Sequence, residues 1–235
     1  MEEGANTSDP PAFFTRDRVE LIATIILAAA AILTAWSAFQ SAKWSGVQAI
    51  RYSEAGATRT ESTRFDTRAG QEMVVDVTVF LDWVAAYEQD LQDGLIQAIE
   101  PGQTYQPDPA ILSGFLYERM RAEFKPALDA WLALRPLQNP DAPPTPFAME
   151  EYVVADAEHA DALAADAEEK ARLAREANQN SDNYVLTTVM FAAVLFFAGI
   201  SSKLVLARNR YLALGFGFVV LIVAGIIVLS FPIEI

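Results

Sequence analysis

The chain has 235 residues, 52% of them hydrophobic, and a formal net charge of −14. A mean hydropathy of +0.18 beside a pI of about 4.4 requires apolar and acidic residues to occupy different stretches. The acidic balance argues against nucleic acid as a partner, which needs a basic face. The lack of cysteine excludes a disulfide framework, a thiolate metal site and a cysteine nucleophile, and a single histidine, His159, is too little for a histidine-rich metal centre.

Three runs contain no Asp, Glu, Lys, Arg or His: Leu21 to Phe39, Tyr184 to Ser202 and Tyr211 to Phe231. A bilayer core takes ~20 helical residues to cross, and backbone inside lipid must satisfy its own hydrogen bonds. The runs therefore predict transmembrane helices at 19–41, 184–202 and 211–233. The first run also has features of a signal peptide, with Arg16 and Arg18 as its basic flank. About 20 residues precede it, however, several of them acidic. It is also long for the apolar part of a leader, so a retained anchor is expected. The loop 203–210 holds Lys203, Arg208 and Arg210 and no acid, which predicts that it is cytoplasmic. Arg16 and Arg18 place the tail 1–18 on the same side. Three crossings then put residues 42–183 and the C-terminal Pro232-Ile233-Glu234-Ile235 outside, in the periplasm of a bacterium. Lys43 and Trp44 read as interfacial anchors.

Residues 42–183 hold 12 Lys+Arg and 25 Asp+Glu, so this stretch carries −13 of the net charge. Residues 43–72 lack proline and continue the first helix outward. Glu61/Arg64 and Arg68/Glu72 stand at spacings where helix neighbours meet. Gly46, Gly56 and Gly70 each weaken a helix by ~1 kcal/mol relative to alanine, and a break is expected near Gly70. Val77, Leu81, Val84, Tyr87, Leu91 and Leu95 follow the helical period and predict an amphipathic helix from about Gln71 to Ile99, ended by Pro101-Gly102. Asp108-Pro109 reads as a cap with proline at the first helical position. The helix that follows carries Phe115, Leu116, Phe124, Leu128 and Trp131, with Pro126 placed to kink or split it. Residues 136–147, PLQNPDAPPTPF, form a stiff proline-rich strap across the helices. Ala148 to Asn183 is rich in Ala, Glu and Asp without Gly or Pro; it predicts a helix running straight into the second membrane segment. Asp166/Lys170 and Glu168/Arg172 support it at i,i+4. The expected fold is all-α: three transmembrane helices plus a helical extramembrane bundle inserted between the first and second.

No chemistry stands out. Asp156-Ala-Glu-His159 puts acids beside the histidine, but a di-iron bundle needs paired Glu-x-x-His motifs on two helices. The acids from Asp156 to Glu169 lack the turn of a calcium loop. There is no GxSxG, P-loop or GxGxxG pattern. No catalytic residue, metal site or cofactor is expected, and the chain reads as no enzyme. Small residues at Ala30, Thr34, Ala38 and Ala42, and at Ala213 and Gly217, permit close helix packing, within one copy or between copies.

Three tracts carry a resemblance: Trp44-Ser-Gly-Val-Gln-Ala-Ile-Arg-Tyr52, Asn139-Pro-Asp-Ala-Pro-Pro-Thr-Pro-Phe147, and Asn183 to Ile200. With the order of segments, they resemble an uncharacterised family of bacterial three-pass inner-membrane proteins of unknown function. The resemblance implies an inner-membrane location and brings no activity, ligand or site residue with it. The leading expectation is a non-enzymatic scaffold or accessory subunit. Its partners would be membrane lipids and either copies of itself or other subunits of a membrane complex, met through the periplasmic helices. The alternative is a homo-oligomeric ion channel with the first helix lining the pore through Thr24, Thr34, Ser37 and Gln40, since pores can be lined by neutral groups. A lipid-handling factor or enzyme ranks last.

Overall fold

The computed structural model describes residues 16–100, 103–136 and 138–235. Most of the expected tail 1–18, the Pro101-Gly102 helix stop and Leu137 of the strap lie outside the described residues. Those described form five α-helices and one short 3-10 turn, with no strand among them. They are α1 (Arg16–Gln92), α2 (Leu112–Arg119), α3 (Lys125–Ala133), the turn Pro146–Ala148, α4 (Ala155–Ser201) and α5 (Ala207–Leu229). Three of them, α1, α4 and α5, are long and apolar enough to cross a membrane. The chain divides into two compact units, one built up to Glu54 together with Glu169–Ile235, the other Ala55–Glu168.

In the first unit α1, α4 and α5 share one apolar core. Val19, Ala23, Ile26 and Ala30 of α1 meet Val194 and Ala198 of α4 and Leu214 of α5. These α1 positions alternate steps of four and three residues, which is the spacing that keeps one helix face on a neighbour. Gly217 of α5 lies on this contact: a Cβ there would sit 3.4 Å from Cβ of Phe197, at van der Waals distance. Further along, Tyr184, Phe191, Ala224 and Val228 form a second cluster joined by Trp44 and Phe231. Several hydroxyl groups in this unit pair with one another across helices. Thr187 Oγ1 lies 3.3 Å from Ser37 Oγ, and Ser41 and Ser45 both meet Ser181, at 3.0 and 2.9 Å.

The second unit is built on an aromatic core. Phe80, Trp83, Tyr105, Tyr117 and Phe124 bury together, with Phe147, Trp131 and Tyr152 packed against them. Small α1 residues lie on α4, where Ser62 Oγ donates to the Ala160 carbonyl at 2.9 Å. Helix α1 passes through Gly70 without a break and stops at Gln92, short of the expected Ile99. Gly94 takes φ +71 there, the left-handed conformation that ends helices and favours glycine. Helix α2 begins at Leu112, not at Pro109, because the Asp108 carboxylate accepts the Ala110 N–H at 2.9 Å and holds a turn. The chain does separate near Pro126, which occupies the first turn of α3. Helix α4 starts at Ala155 and not at Ala148. Phe147 stacks on Phe124, and the Tyr152 hydroxyl donates to Asp76, so residues 147–152 are drawn toward the core.

Gly114 in α2 is required by close approach. An added Cβ would overlap the Asp108 carbonyl, a backbone group that cannot swing aside. Gly114→Ala is expected to cost about 1–3 kcal/mol by overpacking, read as a lowered denaturation midpoint; an unchanged midpoint would mean the 103–111 loop gives way freely.

Candidate functional site

The sequence candidates part company in the structure. Of the stripe at four-residue spacing, Ala30 is fully buried, Thr34 half-buried, and Ala38 and Ala42 exposed. Four residues turn an α-helix by 400°, so such a row creeps about 40° per step and leaves the face on which it began. Gly217 is buried against α4 and Ala213 half-buried. Of the four pore candidates, Thr24 is exposed and Thr34 half-buried, and each hydroxyl donates to a carbonyl four residues back. Ser37 and Gln40 are fully buried. The Gln40 amide makes a two-sided pair with Glu234, donating to its carbonyl at 3.0 Å and accepting its N–H at 2.9 Å. Trp44 Nε1 donates to the Pro232 carbonyl at 3.1 Å, which ties this side chain to the C-terminal segment; Lys43 is half-buried. His159 is exposed and meets Phe65 edge-on, with ring centroids 4.3 Å apart.

A different feature of α1 emerges once its covered face is known. Along the side turned from its packing contacts, a column at seven-residue spacing reads Ala28, Ala35, Ala42, Ala49, Gly56, Thr63 and Gly70. A companion column, three residues earlier in each heptad, runs from Ile25, Ile32 and Phe39 through Gly46, Ser53, Thr60 and Thr67. The two close on Val74, Val77 and Leu81. Every one of these positions is exposed within its own unit, Val74 at 66% and Leu81 at 61%. None is charged, although residues 42–81 contain ten charged side chains. An exposed helix face in water ordinarily collects charge. Here all ten fall elsewhere on the helix. The threonines add no unmet polar group, since Thr60, Thr63 and Thr67 donate to the carbonyls of Gly56, Arg59 and Thr63. Uncharged residues alternating by four and three over this length are the pattern of a helix seam that meets another helix.

The second unit also holds a buried polar network that the sequence did not reveal. Asp76 is 2% exposed. It accepts from Arg121 Nε at 3.1 Å and Nη2 at 2.7 Å, and from the Tyr152 hydroxyl at 3.1 Å. Glu72 adds a contact to the same guanidinium at 3.3 Å. The bonds to Asp76 hold Arg121 above its usual range. Burial, and then Asp76, push the Tyr152 phenol up to about 12. Tyr117 is raised by burial and by its hydrogen bond to Asp129, and Tyr105 by burial. Phenols held neutral in this way are not poised to exchange protons near neutral pH. Among the described residues no three His, Asp or Glu side chains converge as metal ligands.

Asp129 is raised above the ordinary carboxylate value, with burial as the main cause and Tyr117 and Lys125 opposing it. A carboxyl whose folded value exceeds its unfolded one contributes stability in acid that is lost as pH rises through the folded value. Asp129→Asn keeps an acceptor for Tyr117. Its stability relative to the parent is expected to improve between pH 4 and pH 7, measured by urea melts at both; a difference that does not move with pH counts against the burial argument.

Three helices of membrane-spanning length and composition point to an all-helical membrane protein. No family model, curated protein or solved structure matches the chain.

Proposed function

We propose that the chain is a non-enzymatic protein of the bacterial inner membrane that assembles with itself or with partner proteins, as a scaffold or accessory subunit of a membrane complex. The observation that carries this reading is the uncharged seam of α1, whose residues are all exposed among the described residues yet are patterned for helix contact. The basic loop 203–210 supports a cytoplasmic N-terminus and a periplasmic location for residues 42–183, with the Ala55–Glu168 unit as the helical bundle beyond the lipid. The likeness to three-pass inner-membrane proteins supports the same location. The channel alternative is weaker, because Ser37 and Gln40 are engaged by Thr187 and Glu234 inside the protomer. Blue-native electrophoresis and crosslinking in native membranes test the assembly. The expected result is a species larger than one chain; a strict monomer without neighbours overturns it. Protease added to spheroplasts tests the orientation, with cleavage in 42–183 expected.

A further inference from the structure

We infer that the partner on the α1 seam is a second copy of this chain, its own α1 lying parallel and in register. This rests on the assembly reading and names its partner and surface. All three glycines of α1, Gly46, Gly56 and Gly70, fall on the seam. An added Cβ would meet nothing within 4 Å at any of them. The chain's own packing therefore does not need them, and glycine weakens a helix. Small residues at such positions are what let a second helix backbone come near. The Ala28-to-Gly70 column repeats every seven residues, and a strict heptad matches only a helix that supercoils around it with the same period.

The occupant must also run where the seam runs. Its first part, Ile25 to Phe39, belongs to an apolar run of membrane-spanning length, and its later part lies among charged residues. A soluble partner cannot follow it into lipid, and a simple membrane anchor cannot follow it out. Two helices of the chain do both, α1 and α4. The exposed side of α4 before its apolar run carries Asp161, Glu169, Arg172 and Glu176, so α1 is the one that matches an uncharged seam, and two copies inserted in the same sense lie parallel. The large residues stand at the two ends of the seam, Ile25, Ile32 and Phe39 at one and Val74, Val77 and Leu81 at the other, with small ones between. In-register pairing sets large layers on large and small on small, so the backbones approach along the middle. A stable interface takes roughly 20 or more residues from each side, which the seam and its immediate flanks supply. Homo-oligomers of closed symmetry are also the commonest assemblies.

The chain has no cysteine, so single cysteines report contacts cleanly. In full-length protein in native membranes, Ala42→Cys, Ala49→Cys, Gly56→Cys and Thr63→Cys are expected to form disulfide-linked dimers under mild oxidation. Glu61→Cys, exposed but off the seam, is expected to form few. Gly56→Leu is expected to reduce the dimer about tenfold by overpacking the contact, with the helical content of the protein unchanged. Seam cysteines that link no better than Glu61→Cys, in a protein that still migrates as a complex, overturn the inference and leave the assembly reading standing. Seam cysteines that link to a different protein do the same. A monomer that crosslinks to nothing overturns both.

Discussion

Replacing Arg121 with methionine is expected to lower the stability of the Ala55–Glu168 unit by about 3–5 kcal/mol, the cost of stranding one partner of a buried ion pair. Asp76 is almost wholly enclosed, and Arg121 is the only cation bonded to it among the interactions described. Without the guanidinium, the carboxylate keeps one phenol donor, from Tyr152, and Glu72 and Glu123 lose the charge they share at 3.3 and 3.6 Å. Removing the whole network is a different perturbation. A triple variant, Asp76→Leu, Arg121→Met and Tyr152→Phe, leaves no polar group behind. It is expected to recover most of the loss, because replacing a buried pair by apolar groups is often neutral. Denaturation followed by the fluorescence of Trp83 and Trp131 separates the two. A loss below about 1 kcal/mol for Arg121→Met, the range of a surface pair, would mean that water reaches Asp76 readily.

This network also marks where the sequence stops being readable. Asp76 and Arg121 are 45 residues apart, and in one dimension each looks like a solvated charge. The helix-local pairs expected for Arg68 and Glu72 are replaced by contacts across elements, Arg68 to Asp156 at 3.4 Å and Glu72 to Arg121 at 3.3 Å. Likewise Glu168 meets Arg59, while Arg172 is held by Glu169 and Glu176. Spacing along one helix names the charges that can meet, but a second helix decides which do. The membrane-length helices were legible because hydrocarbon demands an unbroken apolar run of fixed length, a condition local in sequence. Residues 138–145 hold no α-helix, as expected where prolines remove donors and fix φ.

The α1 seam is an intermediate case. Its residues are visible in the sequence, but of the small ones singled out there, Ala30, Thr34, Ala38 and Ala42, only Ala42 lies on it. Four-residue spacing joined a buried position to exposed ones. What a sequence lacks is knowledge of which face is already covered. Once Val19, Ala23, Ile26 and Ala30 are seen to meet α4 and α5, the residues two further on become the uncovered side, and the seven-residue column follows. The helix ends were least legible. Asp108 spends its carboxylate on a turn before α2, and Phe147 with Tyr152 hold back the start of α4; both are tertiary choices that override local capping signals.

Phe124→Ala is expected to cost about 3–5 kcal/mol, the range for emptying a buried aromatic site. The residue is fully buried and stands where three other rings converge. Phe147 stacks on it at 5.1 Å, and Phe80 and Tyr152 meet it edge-on at 6.3 and 5.8 Å. Two of these rings belong to segments without long helices of their own, so the cavity would also free what Phe124 holds. Phe147 sits in the turn that closes the strap, and Trp131 bonds the strap carbonyl of Pro143 at 2.7 Å. Loss of near-ultraviolet dichroism from the aromatic cluster should accompany the fall in stability. Phe124→Leu retains much of the volume and is expected to lose less, because surrounding rings can close on a branched aliphatic side chain. The variant also divides the seam by its supports. Crosslinking through Ala28→Cys or Ala35→Cys, in the apolar run, is expected to persist in the Phe124→Ala background, since those positions belong to the unit with its own core. Crosslinking through Thr63→Cys, in the unit that Phe124 stabilises, is expected to weaken. Equal loss at both sites would mean that the seam forms only as one cooperative whole.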